Sequence, residues 1–316
     1  MKHIFILNPQ AGYYDQTQSL EENFRPSKED EASDRICYIS KHPMAAKEYA
    51  DEICKRYPDE ELRFYACGGD GTLNEVLNGI MNHPNALLTS YPSGIGNDFI
   101  RTFGTRNDFC NLQRLLDGKA ESTDLMKVTI GKGKNQKVRY ALNVVDMGFD
   151  AIIAQKMQRI KRNRILGGYK SYKSALWMSV LAKRKHRCSI SMNGEIIPLR
   201  RLMVCTLSNG RYFGGGFQCS PNSETNDGIL ELNIIRPMSP IVMLRNLKMY
   251  RTGRHLETPF RDRYMICRSG QIFEFSGSRA LHMTIDGEVI KAKRIRVEVI
   301  PNAIQFIMPS GLSNRL

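Results

Sequence analysis

Apolar and polar positions in the first third of the chain alternate between short continuous apolar runs and helical spacings. His3–Leu7 and Arg35–Ser40 have the pattern of strands, with a polar stretch lacking any period between them. Met44–Tyr57 places Ala45, Tyr49, Ile53 and Tyr57 on one helical face. Arg63–Cys67 and Ala86–Tyr91 return to the strand pattern around a helical Leu73–Met81, and the alternation continues beyond Asn97. Strand followed by helix, repeated, predicts an α/β domain with a parallel sheet.

From about Leu125 the rhythm becomes that of β-structure. Leu125–Ile130, Val138–Val145, Arg187–Met192, Leu202–Leu207 and Ile229–Ile235 are apolar runs separated by turn signals. Asn193-Gly194 and Asp286-Gly287 each lie between apolar residues, which predicts tight hairpins. Helical patterns interrupt this half around Ala151–Arg184 and Pro240–Thr252. The expected organisation is a nucleotide-binding α/β domain over 1–124 and a β-rich domain over 125–300. The final segment, 301–316, is open to packing back on the first.

The composition is that of an ordinary globular protein, and 316 residues suffice for two packed domains. A net charge of +14 predicts attraction to an anionic partner: nucleic acid, a phosphate-rich substrate or an acidic membrane surface. Eight scattered cysteines without a Cys-x-x-Cys pair, and no amino-terminal secretory pattern, read as reduced thiols in a cytosolic protein. No apolar run approaches the ~20 residues that cross a bilayer, so any membrane contact is expected at its surface.

Three strands of the first half run into loops suited to phosphate: Asn8-Pro9-Gln10-Ala11-Gly12, Gly68-Gly69-Asp70-Gly71-Thr72 and Gly94-Ile95-Gly96-Asn97-Asp98. Ligands of open α/β sheets gather at the carboxyl ends of the strands. Glycines there allow close backbone approach, and the N–H groups of a following helix face the anion. Thr72 with Glu75 also matches a helix capping box, which accounts for part of the second loop but not for Gly-Gly-Asp-Gly. The P-loop signature Gly-x-x-x-x-Gly-Lys-Ser/Thr is absent, as is the third glycine of the dinucleotide fingerprint. Neither His-Arg-Asp nor Asp-Phe-Gly of protein kinases occurs.

The ordered set Gly68-Gly69-Asp70-Gly71-Thr72-Leu73-Asn74-Glu75-Val76, then Gly94-x-Gly96-Asn97-Asp98-Phe99, resembles the diacylglycerol kinase catalytic-domain family, which includes bacterial soluble lipid kinases and sphingosine kinases. Asn8-Pro9-x-x-Gly12, Asp124-Leu125, Asp227-Gly228-x-Leu230 and Asp286-Gly287-Glu288 extend the resemblance over nearly the whole chain. It implies an amino-terminal α/β domain like that of NAD kinases and phosphofructokinases, a carboxyl-terminal β-sandwich, and ATP held in the cleft between them. The nucleotide phosphates would then lie against Asn8–Gly12 and Gly68–Thr72. Ser40 stands where the family usually has threonine, and Ile95 where it commonly has a hydroxyl residue.

Phosphoryl transfer needs contacts to the phosphates, carboxylates for magnesium and an acceptor for the substrate proton. Asp70, Asp98 and Asp124 are assigned to a magnesium–water network. The resemblance makes Asp286 the general base, with Glu288 the competing assignment; the plain alternative is that Asp286-Gly287 is only a turn. It likewise implies a second, structural magnesium on the Asp227 loop, with Glu224 and Ile229 contributing by spacing.

No acidic residue occurs between Asp150 and Glu195. Lys156, Arg159, Lys161, Arg162, Arg164, Lys170, Lys173, Lys183, Arg184, Lys185 and Arg187 lie there among apolar residues. That pattern resembles a basic amphipathic surface for anionic headgroups, placing the protein peripherally at the inner face of the membrane; a solvated helix face is the plain alternative. No nucleic-acid reading motif is present, and a homodimer is compatible with the sequence. Tyr212–Phe217 is a glycine-rich aromatic loop, read either as the lining of an apolar lipid slot or as a bend between strands. The expected reaction is transfer of the ATP γ-phosphate to a lipid hydroxyl of diacylglycerol type. The rivals are an NAD kinase-like phosphotransferase acting on a soluble acceptor and a non-catalytic lipid-binding relative.

Overall fold

Five parallel strands organise the first part of the molecule, and their burial explains the unbroken apolar runs of the sequence. The computed structural model describes residues 1–12, 17–24, 34–148 and 187–312. Two units are formed, one from Met1–Asp124 with Asn302–Leu316 and the other from Leu125–Pro301.

In the first unit β1 (Lys2–Leu7) lies between β2 (Arg35–Ile39) and β3 (Leu62–Gly68), and β4 (Ala86–Pro92) adds beside β3. The end of a long carboxyl-terminal strand pairs in parallel with β4 through Gln305 and Phe306. Ile4–Leu7 and Phe64–Cys67 are all buried, as expected of a parallel sheet covered on both faces. Helices α1 (Thr17–Phe24), α2 (Ala45–Arg56) and α3 (Asp70–Ile80) belong to this unit, followed by the short α4 (Arg106–Phe109) and α5 (Leu112–Leu116). Gly79 sets the approach of α3 to α2, since a Cβ there would meet the Lys47 carbonyl at 2.5 Å. Phe5 stacks between Phe24 and Tyr65 with ring centroids 4.5 and 4.4 Å away.

The second unit is antiparallel. Its strands are the part of β5 (Lys119–Ile130) from Leu125 on, β6 (Lys137–Ala141), β7 (Val144–Gly148), β8 (Ser189–Met192), β9 (Glu195–Ile196), β10 (Val204–Ser208), β11 (Leu230–Ile235), β12 (Met265–Gly270), β13 (Ile272–Ile285) and β14 (Glu288–Met308) as far as Pro301. They pair in the order β12-β11-β10-β7-β13-β14, with β8 on β13 and β6 on β5. Alternate residues, among them Leu230, Leu232, Phe273, Phe275, Ile295 and Val297, fill one apolar core. Helices α6 (Pro240–Arg251), capped by Ser239, and α7 (Pro259–Tyr264) accompany the sheet.

Two departures from the sequence pattern have local causes. Val138–Val145, which reads as one strand, is divided into β6 and β7, because the N–H groups of Leu142 and Asn143 are donated to the Asp286 carboxylate rather than to a ladder. Helix α3 begins at Asp70 with Gly69 as its cap and no side-chain capping bond, so the Thr72/Glu75 capping box is not formed. The Thr72 hydroxyl lies inside the first turn and accepts from Asn8 instead. The helical pattern Ala151–Arg184 lies wholly outside the described residues.

Candidate functional site

The chemistry-bearing loops of the first unit are tied to one another by their own backbones. The Asn8 side chain folds onto its loop, its Oδ1 accepting from Gln10 N at 2.9 Å, while its Nδ2 donates to Thr72 Oγ1 at 2.9 Å. Thr72 in turn packs on Gly68, where a Cβ would lie 2.2 Å from the Thr72 hydroxyl. The Gly68 carbonyl accepts from both Ser93 N and Gly94 N at 3.0 Å, joining the second loop to the third. A Cβ on Gly94 would meet Gly69 Cα at 2.4 Å, so the glycine at 94 is demanded by contact between loops and that at 68 by contact with Thr72 of its own loop.

Asp70 completes this arrangement. Its Oδ1 accepts from the N–H groups of Asp98 and Phe99 at 2.8 and 3.3 Å, and its Oδ2 lies 2.8 Å from where a Gly96 Cβ would stand. The Asp98 carboxylate flanks the same position at 3.7 Å and pairs with Arg101 at 3.4 Å. Asn97 adopts φ 50° and donates to the Gly94 carbonyl at 2.7 Å, while its buried Oδ1 has no hydrogen-bond partner among the described residues. Ile95 is 47% exposed, and Ser40 follows β2 with its N–H on the Leu7 carbonyl. Gly12 turns the first loop with φ 80°, after Pro9 and Ala11, whose N–H reaches the Asn8 carbonyl.

Asp124 does not join Asp70 and Asp98. Among the described residues no three His, Cys, Asp or Glu side chains gather as a metal site. The buried Asp124 carboxylate accepts from Asn302 N at 2.8 Å, closing the chain's return into the first unit. Asp124 thus holds backbone at Asn302 while Asp70 and Asp98 converge on Gly96, and the magnesium–water network expected of the three carboxylates stands as a proposal.

In the second unit Asp286 and Gly287 have φ 46° and 87°, the signature of a two-residue hairpin turn joining β13 to β14. The turn carries more than geometry. Asp286 Oδ2 accepts from Leu142 N at 2.8 Å, and Oδ1 from Asn143 N and Val144 N at 3.0 Å each. Asn143 donates to the Tyr212 carbonyl, and Asn209 to the Leu142 carbonyl, which ties this carboxylate seat to the Tyr212–Phe217 loop. That loop closes through reciprocal Phe213–Phe217 backbone bonds, with Gly214, Gly215 and Gly216 all at positive φ. Glu288 forms an ion pair with Arg139.

On the Asp227 loop the carboxylate accepts from Ile229 N at 2.9 Å around Gly228, φ 72°. Glu231 nearby is pushed up from the ordinary carboxylate range by burial, an effect eased by Ser269 and reinforced by Asp227. Glu224 lies in the same loop, before Asp227. Of the basic run, Lys156–Lys185 lie outside the described residues and Arg187 is exposed. Sequence reasoning missed Arg101, whose signal was its spacing of three from Asp98, and missed Asn143 and Asn209, whose role depends on contacts distant in sequence.

Comparison with known proteins accords with these features. The family model for the diacylglycerol kinase catalytic domain matches residues 2–128, and that for the YegS C-terminal NAD kinase β-sandwich-like domain matches residues 143–308. A protein of Pectobacterium atrosepticum named "Probable lipid kinase YegS-like" is 30% identical over 287 residues, 86% of this chain and 87% of that one. A namesake from Klebsiella pneumoniae is 28% identical, with 86% and 87% covered. The crystal structure of a diacylglycerol kinase from Bacillus anthracis shares the fold, with a TM-score of 0.68 at 16% identity over 99% of this chain and 98% of that one. With both halves matched in order, this chain belongs to the diacylglycerol kinase catalytic-domain family of lipid kinases, in the form that carries a YegS-type β-sandwich-like second domain.

Proposed function

We propose that the protein transfers the γ-phosphate of ATP to the hydroxyl of a membrane lipid, with a diacylglycerol-like acceptor. The observation that carries this reading is the interlocked Gly68–Thr72 and Gly94–Asp98 loops, which bring bare backbone together at the amino terminus of α3. N–H groups at a helix start favour anions, and glycine removes the side chains that would hold a phosphate away. The family resemblance assigns Asn8, Pro9, Gln10, Ala11, Gly12 and Ser40 to the nucleotide as well.

Asp70 and Asp98 converge on Gly96, and a pair of carboxylates fits magnesium, which takes one or two together with water and phosphate oxygens. The orphaned Asn97 Oδ1 is buried 3.1 Å from where a Gly94 Cβ would stand, and fits a donor supplied by such a hydrated ion. When bound, magnesium neutralises phosphate charge; Asp70 and Asp98 would hold it. Glu224, Asp227 and the Ile229 carbonyl are proposed for a separate structural ion. Asp286 is proposed as acceptor of the substrate proton on the family resemblance, with Glu288, which pairs with Arg139, the competing assignment. Among the described residues no helix is long and apolar enough to cross a membrane. In this reading the protein meets its acceptor peripherally, from the cytoplasmic side.

The test is incubation of the protein with γ-labelled ATP, magnesium and a total lipid extract, beside Asp70→Asn and Asp286→Asn variants. The expected outcome is label in an organic-soluble lipid made by wild type and lost in both variants. Label in NADP with none in lipid would overturn the proposal.

A further inference from the structure

An open pocket of about 840 Å³ in the second unit is lined by Arg187, Arg200, Arg201 and Arg236 with Pro198, Leu199 and Pro237, and among the described residues its walls include no acidic one. We infer that these four arginines form a binding site for a phosphate group, distinct from the glycine loops of the first unit.

The position follows from the sheet. β10 and β11 are antiparallel with Val204 opposite Ile235, so the residues entering β10 lie beside those leaving β11. Ile197 and Leu202 are buried in the core and pin both ends of the intervening segment, leaving Pro198–Arg201 at the surface. Arg236 is fixed from the other side by its backbone N–H on the Tyr264 carbonyl at 2.8 Å. The two prolines add stiffness, having φ set by their rings.

All four arginines are exposed, and among the described residues none has an ion pair or a side-chain hydrogen bond. Some arginines elsewhere on this protein are paired, as Arg296 is with Glu274 and Glu298 and Arg139 with Glu288. Four guanidinium groups around one hollow repel one another until an anion enters. Their planar forks match phosphate oxygens two at a time, which an ammonium does not. Leu199 and the prolines give the rim an apolar side, which suits a phosphate borne on a lipid as well as a free one.

The site shares no residue with the proposed catalytic set, so it stands or falls separately from the kinase reading. Full-length wild type is compared with the triple variants Arg200→Gln/Arg201→Gln/Arg236→Gln and Arg200→Lys/Arg201→Lys/Arg236→Lys. In one arm, inorganic phosphate is titrated at constant ionic strength and the thermal midpoint is followed. In the other, protein is sedimented with phosphatidylcholine vesicles with or without phosphatidylglycerol. Loss of on the order of a hundredfold in apparent affinity is expected for the glutamine variant in at least one arm, with no full recovery by lysine. Loss in the phosphate arm assigns a soluble phosphate; loss confined to phosphatidylglycerol vesicles assigns a lipid headgroup. Equal behaviour of wild type and glutamine variant in both arms, or full rescue by lysine, would overturn the site. Because the side chains are exposed, the variants are expected to keep the wild-type midpoint without ligand; should the triple variant lose it, Arg236→Gln alone is carried through both arms.

Discussion

The Gly68–Thr72 loop of the first unit and the Asp286-Gly287 turn of the second are both short glycine-containing bends next to a strand, yet they are held by opposite means. The first is shaped by what is missing: bare backbone at Gly94 lets its loop touch Gly69, bare backbone at Gly68 makes room for Thr72, and Asp70 locks the two loops by accepting from Asp98 and Phe99. The second is shaped by what is added, a carboxylate that collects three N–H groups from the break between β6 and β7. A parallel sheet ends all its strands at one edge, so its loops meet by topology. An antiparallel sheet turns at both ends, and a particular turn has to be seated by specific bonds.

The contrast is broken most severely at Asp286. Replacing it with alanine orphans three backbone donors, at about 1–3 kcal/mol each in the general case, and leaves a non-glycine residue at φ 46°. A loss of roughly 3 kcal/mol or more of unfolding free energy is expected, measured by denaturant titration. Asp286→Asn tolerates the turn and keeps one acceptor oxygen, so it should lose much less stability while still abolishing lipid phosphorylation. Equal stability of wild type and Asp286→Ala would refute the seat.

A buried histidine sharpens the comparison through pH. His255, in the second unit, is held to about 4 by burial, offset by the Cys219 backbone. It is therefore neutral when folded; its contribution is complete above the unfolded value of 6.5 and is lost as pH falls through about 4. Up to roughly 3 kcal/mol should disappear across that window. His255→Phe should flatten this acid limb in thermal unfolding measured from pH 7 to 4.

In the first unit the corresponding break is Gly94→Ala. Its Cβ would fall 2.4 Å from Gly69 Cα, and the displaced loop should lower kcat/KM about a hundredfold, near 2.7 kcal/mol, with a smaller loss of stability. Thr72→Val, which removes the acceptor of Asn8, should cost about 1 kcal/mol of stability. Smallest of all is Ile95→Thr. This side chain is exposed, so restoring the family's hydroxyl should leave stability within about 0.5 kcal/mol, and any change belongs to the KM for ATP.

Legibility from sequence divides along the same line. Period and turn chemistry act between near neighbours, so β1 to β4, α2, β10, β11 and the Asn193-Gly194 and Asp286-Gly287 hairpins were all visible in the order of residues. The glycine loops were visible as motifs for the same reason. Where a backbone N–H finds its partner is a long-range matter. The division of Val138–Val145 into two strands depends on a carboxylate more than 140 residues later. The seat of the Asp124 carboxylate on backbone depends on Asn302.

The start of α3 at Asp70 shows the limit of a local rule. Thr72 and Glu75 satisfy the capping pattern, but a hydroxyl makes whichever bond the fold brings nearest, and the fold brings Asn8. The sequence by itself determined the element types, the turns and the family to which the chain belongs, because each rests on residue type and spacing. Only the tertiary structure decided which carboxylates hold backbone, which pair converges on Gly96 and which arginines line one hollow, because hydrogen bonds and charge act over a few ångströms of space, whatever the separation along the chain.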